Sequence, residues 1–184
     1  MICYIITSSS REMRTVGRSR AQAASPFQTA SHDHGSCIDD ALDRAAQLCA
    51  ARGARLTELR RQVLQLVWRG HEAVGAYAIL EALRRSHPGA APPTVYRALD
   101  FLIEHGLIHR LESLNAYVGC SRPERRHVSQ FLICGKCGGA AELDDPAIAG
   151  AVLRRAGALG FAVEQQTIEL RGLCPRCQPV ADAR

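Results

Sequence analysis

Two C-x-x-C pairs set the strongest limit on how this chain can fold: Cys134 and Cys137 in FLICGKCGGAAEL, and Cys174 and Cys177 in GLCPRC. Four thiolates are the number that closes a tetrahedral zinc site with no open position. The pairs lie too far apart for a small zinc ribbon, so a strand-helix-strand unit has to bring them together. A redox role needs one such pair at a helix N-terminus in a thioredoxin-like setting. Here each pair follows a strand-like run and is bordered by glycine or proline, as in a knuckle turn. The residues favour structural zinc, a staple for a small domain whose own core is thin. Such a site is insensitive to cellular zinc, because losing the metal unfolds it.

The chain has 184 residues, enough for one ordinary domain or two small ones. Its eight cysteines would suit a secreted disulfide framework, but those frameworks belong to short, loop-rich chains behind a signal peptide. MICYIITSSSRE, residues 1–12, holds a short apolar run with no basic region before it and no small-residue cleavage site. The expectation is a cytoplasmic protein with reduced or metal-bound cysteines. No apolar stretch approaches the roughly 18 residues of a membrane span. The formal charge of +5 is compatible with a polyanionic partner without requiring one.

Residues 1–36 lack periodicity and read as a disordered tail. In SHDHGSC, His32, His34 and Cys37 could bind metal or belong to that solvated tail. From Ile38 a helix is marked by Leu42, Ala45, Ala46, Leu48 and Cys49, ending at Gly53. Thr57 caps a second helix that runs to Gly70, and a third spans Gly75 to Ser86. PPTVYRALDFLIEHG, residues 92–106, is a fourth, with Pro93 in its first turn and Gly106 at its end. LIHRLESLNAYVGC alternates on both sides of SLN, as a β-hairpin does.

Short helices followed by a two-stranded wing make a winged helix-turn-helix domain over 37–120. The polar segment SRPERR, 121–126, is the expected hinge. A second domain over 127–178 reads as two strands, a helix opened by Pro146 and a strand in FAVEQQTIELRGLC, leaving 179–184 as a tail. The expected class is α+β, with an N-terminal winged helix and a C-terminal α/β domain.

Four further ligand-type residues remain. His109 lies in the first hairpin strand, Cys120 ends the second, His127 follows the hinge, and Glu142 lies beyond the first knuckle. Singly, each has an ordinary account as a strand histidine, a core cysteine or a solvated carboxylate. Together they form a nitrogen, sulfur and oxygen set that zinc accepts. A metal held there would clamp the two domains at one angle, as a switch requires.

RLTELRRQVLQLV, PPTVYRALDFLIEHGLIHRLESLNAYVGC, FLICGKCG and GFAVEQQTIELRGLCPRC resemble, in order and spacing, the ferric uptake regulator (Fur) superfamily over about residues 37–178. Within it the resemblance is to the zinc uptake regulator branch. The iron-sensing branch carries a histidine-rich run before the first knuckle, where this chain reads PERRHVSQFLIC with a single histidine. The resemblance implies a zinc-responsive repressor, homodimeric through its C-terminal domain, which binds palindromic operator DNA with one or two dimers per operator. It implies two zinc ions per chain: structural zinc at Cys134, Cys137, Cys174 and Cys177, and regulatory zinc at His109, Cys120, His127 and Glu142.

Helix 92–106 is the expected recognition helix. Thr94, Tyr96 and Arg97 stand in its first turns, where such helices reach base edges and phosphates. Tyr77 resembles the family's DNA-contacting tyrosine, and Arg60 and Arg61 could hold backbone phosphate or form a solvated face. Tyr96 could instead pack beneath the helix. Other open readings are a family sensor of iron, manganese or nickel, and a zinc-stabilised interaction module without DNA. An enzyme is disfavoured, because a catalytic zinc keeps a position open and no Ser-His-Asp set, phosphate loop or H-E-x-x-H helix is present.

Overall fold

The computed structural model describes residues 27, 34–70, 72–125 and 127–179. Most of the expected N-terminal tail, with His32, lies outside the described residues, as does the C-terminal tail beyond 179. The first helix, α1 (His34–Ala51), starts inside the segment expected to be tail. Residues 34–36 add a turn of helix ahead of the amphipathic run of Ile38, Leu42, Ala45 and Cys49, a turn that the weak helix propensity of Gly35 and Ser36 does not signal.

Helices α2 (Glu58–Trp68), α3 (Ala76–Arg84) and α4 (Pro92–Glu104) follow. Thr57 occupies the N-cap of α2, but its side chain makes no capping bond. Gly106, at φ +66°, closes α4 in the left-handed conformation that spares glycine a Cβ clash, while Leu107 N–H donates to the Leu102 carbonyl at 2.8 Å. The helices bury Leu42, Cys49, Val63, Leu64, Ile79, Leu83, Val95, Leu99 and Leu102 in one core.

Strands β1 (Val74–Gly75), β2 (Ile108–Leu111) and β3 (Ala116–Gly119) form the wing in the order β1-β3-β2. The expected wing had two strands. The third is only two residues long, too short to show an alternating pattern, and it pairs Val74 with Tyr117. Strands β4 (Ser129–Cys134), β5 (Ala140–Leu143) and β6 (Thr167–Gly172) form a second sheet in the order β5-β4-β6. β6 is shorter than its sequence run suggested, since residues 161–166 lie outside it. Helix α5 (Pro146–Ala158) makes the crossover that the parallel β4–β6 pairing requires. Asp145 caps it, accepting from Ala147 N–H at 2.8 Å.

The two sheets meet. Phe131 and Ile133 of β4 pack with Leu111 of β2, joined by Ala73, Leu114, Val118 and Ala140. The α+β class with a winged N-terminal unit stands.

Candidate metal centres and nucleic-acid face

Cys134, Cys137, Cys174 and Cys177 converge, their sulfurs all within 4.8 Å of one another. β4 delivers the first pair and the turn after β6 the second, because these neighbours run parallel and end together. Cys137 and Cys174 sulfurs are 3.8 Å apart, about the edge of a tetrahedron with the 2.3 Å bonds of zinc thiolate. Gly138, at φ +72°, turns the first knuckle. Backbone N–H groups of Cys174 and Cys137 point at Cys134 and pull its thiol down to about 6. Burial and the adjacent sulfurs push Cys177 up to about 12. Four such crowded sulfurs ionise together only around a cation, so this donor set fits zinc.

His109, Cys120, His127 and Glu142 form a second cluster, again with one donor atom each within 4.8 Å. It straddles the two sheets: β2 and the end of β3 bring His109 and Cys120, the segment leading into β4 brings His127, and β5 brings Glu142. Glu142 Oε1 lies 3.0 Å from His109 Nε2 and 2.5 Å from His127 Nε2, and Cys120 Sγ is 3.7 Å from that same nitrogen. The side chains of His109, His127 and Glu142 are 14%, 8% and 7% exposed, and Cys120 is buried. His109 Nε2 is buried and faces Glu142 Oε1 as an ion-pair contact, without an aligned hydrogen bond. Both outer nitrogens are engaged, His109 Nδ1 with Ser129 Oγ at 3.0 Å and His127 Nδ1 with the Arg125 carbonyl at 3.0 Å. Metal-binding imidazoles are oriented in this way. Two oriented rings whose inward nitrogens, one of them buried without an aligned hydrogen bond, converge with a thiol and a carboxylate fit a tetrahedral cation.

Burial alone would raise Glu142, but His109 and the Ser121 donors outweigh it and hold the carboxyl near 2. Burial, aided by the Glu142 charge, pushes Cys120 up to about 12. Burial would lower His127, but the Arg125 carbonyl and Glu142 prevail and its pKa is raised. A metal-binding thiolate and neutral imidazoles therefore require Cys120 to give up a proton, and His127 to do so where it is still charged. Lower pH opposes both losses. Apparent zinc affinity at this site should rise about tenfold per pH unit through the Cys120 proton alone, and more steeply wherever His127 is still charged. Titration against a chelator across pH 6 to 8 measures the slope, and a flat profile would contradict this assignment.

Several residues with ordinary sequence signals support the second cluster. Ser121 donates its N–H at 2.9 Å and its hydroxyl at 2.6 Å to Glu142 Oε2. Arg52 ties the end of α4 to the segment between β3 and β4, donating to the His105 carbonyl at 2.6 Å and the Pro123 carbonyl at 3.1 Å. Arg122 and Arg125 both pair with Asp144. A Cβ on Gly119 would sit 2.2 Å from the Trp68 ring, so the ring or β3 must shift before any side chain fits there. Gly119→Ala should destabilise the wing by about 1–3 kcal/mol and weaken metal binding at neighbouring Cys120. Thermal unfolding with and without zinc checks both effects.

On α4, Val95, Ala98, Leu99 and Leu102 face the core, while Tyr96 and Arg97 are exposed and Thr94 is half-buried. Tyr96 does not pack beneath the helix. Tyr77, at the start of α3, is 72% exposed, more than its own fold requires. Arg60 has an internal use: its guanidinium lies 3.6 Å over the Phe101 ring and donates to the Arg55 carbonyl. Arg61 is half-buried. Cys37 lies in α1 and joins neither cluster.

The family model described as the ferric uptake regulator family matches residues 51–171. The zinc uptake regulation protein of Escherichia coli K12 is 41% identical over 144 residues, covering 78% of this chain and 84% of that protein. A ferric uptake regulation protein of Legionella pneumophila is 30% identical over 141 residues, covering 74% of this chain and all of its own length. Among solved structures, a zinc uptake regulator complexed with zinc and DNA superposes with a TM-score of 0.73 at 40% identity, covering 76% of this chain and 94% of that one. Holo XcZur gives 0.70 at 43% identity, covering 76% and 97%. With a winged helix and a second sheet that superpose on these structures, and a family model matching two thirds of its length, the chain belongs to the ferric uptake regulator family.

Proposed function

We propose that the chain is a zinc-responsive transcriptional regulator, mainly a repressor, that binds palindromic operator DNA as a zinc-loaded homodimer to control zinc-uptake genes. The observation that carries this reading is the mixed cluster, whose donors come from both sheets. Cys134, Cys137, Cys174 and Cys177 hold one zinc as a staple. His109, Cys120, His127 and Glu142 hold a second, which supplies a closed tetrahedral clamp between the units. Both sets supply four protein ligands, leaving no place for a reactive water, so the reading is of a binder and not a catalyst.

Residues 37–120 form the DNA-binding domain, 121–126 the hinge and 127–178 the dimerisation domain. Exposed Leu159, Phe161, Leu170 and Leu173 supply apolar surface for a second copy. No helix among the described residues is long and apolar enough to cross a membrane, and we place the chain in the cytoplasm beside its DNA. The names of the Escherichia coli relative and of the complex with zinc and DNA support the choice of ligand and partner.

Thr94, Tyr96, Arg97 and Tyr77 meet DNA in this reading, with Arg61 beside the phosphates, while Arg60 stays over Phe101. Arg97→Ala should weaken operator binding by about 1–3 kcal/mol, roughly five- to 150-fold, while both zinc ions are retained. Gel shifts on a duplex selected from random sequence by the zinc-loaded chain test this, and full affinity in the variant would refute the assignment.

A further inference from the structure

Phe131 in β4 is flanked in register by two carboxylates, Glu142 of β5 on one side and Glu169 of β6 on the other. Residues directly opposite in neighbouring strands share a face, so the three form one row toward the wing. The ends of this row hold opposite ends of the same hairpin. Glu142 meets its base, at His109 and Ser121. Glu169 meets its tip, where Glu112 N–H donates to Oε1 at 2.7 Å and Ser113 N–H to Oε2 at 3.1 Å. Between them Phe131 packs against Leu111. Partial burial would raise the Glu169 carboxyl, but bonds from the Ser113 hydroxyl and the two amides hold it below its ordinary value. Nothing in the metal clusters needs Glu169.

We propose that Glu169 is a positioning residue, a metal-independent second clasp that fixes the wing at one angle on the C-terminal sheet. A hairpin held at one end can swing about that point, and a second hold at the far end removes the swing. Metal at Glu142 then acts on a wing already held at its tip, and the two clasps together select the arrangement that DNA reads. The inference rests on the regulator reading above.

The test compares the full-length, zinc-loaded chain with Glu169→Gln, which keeps the side chain's shape but removes its charge and one acceptor. Operator affinity at saturating zinc should fall roughly tenfold, within the range of ordinary couplings between sites. Regulatory zinc affinity without DNA should change little, structural zinc should stay, and amide exchange at Glu112 and Ser113 should accelerate. Ser113→Ala should weaken binding less, and the double variant should lose less than the product of the two single effects. Unchanged amide exchange would show that no clasp exists. Faster exchange with unchanged operator affinity would remove the positioning role, as would a loss of melting temperature alone. If the wild-type chain binds no duplex with zinc, the regulator reading fails, and exchange at the hairpin tip still decides whether the clasp holds.

Discussion

Cys137→Ser is expected to unfold the sheet of β4, β5 and β6 while the helical core of α1 to α4 keeps its structure. The two units differ in what holds them. The helical unit buries long apolar side chains from four helices. The second sheet buries few, and α5 contributes only Ala149 to the interior. Structural zinc in small domains supplies about 10–16 kcal/mol of apparent binding energy at neutral pH, comparable with or above the roughly 5–15 kcal/mol stability of a whole domain. Losing one of four ligands removes most of that support. Metal content by mass spectrometry and limited proteolysis should show less than one structural zinc and cleavage within 129–177. A variant with full metal content and unchanged protease resistance would mean the sulfurs are not a staple.

Cys120→Ser should have the opposite profile: a folded dimer with its structural zinc intact, no second zinc, and operator binding weakened by about a hundredfold. Cys120 is the only sulfur donor of the mixed cluster, and it sits at the end of the wing. His127→Ala removes a donor from beyond the hinge and should give the same loss from the other side. Agreement between the two variants is the informative result, because Cys120 approaches the proposed site from the wing and His127 from beyond segment 121–126. Operator binding that survives either change would detach DNA recognition from this cluster.

Much of this architecture is legible in the sequence because the chemistry is local or tied to rare residue types. A C-x-x-C turn declares itself within four residues, and PPTVYRALDFLIEHG carries its own start, face and stop. The mixed cluster is legible because histidine, cysteine and glutamate donors left over from folding stand where two domains must join. The supporting residues are not legible. Ser121, Gly119 and Glu169 are common types, and their roles arise from register and close approach: Glu169 matters because it lies opposite Phe131, and Gly119 because Trp68 fills the space beside it. β1 is two residues long, below the length at which any period shows. The first turn of α1 contains Gly35 and Ser36, whose weak helix propensity is overruled by the helix that follows. Arg60 shows the limit for surface charge, since sequence cannot tell a phosphate contact from a guanidinium laid over Phe101.

In the proposed function, metal in the mixed cluster, and zinc before other metals, switches DNA binding. A donor set of one thiolate, two imidazoles and one carboxylate also accepts ferrous iron, nickel and cobalt, so ligand chemistry alone does not select. The most direct measurement starts from protein that keeps its structural zinc but has been stripped at the mixed cluster. Buffered zinc, ferrous iron, nickel or manganese is added while binding to the selected operator duplex is followed. The expected result is tight operator binding restored by zinc at the lowest free concentration of the four, and abolished in Cys120→Ser. Restoration by iron, nickel or manganese at lower free concentration than zinc, or tight binding with no metal added, would contradict it.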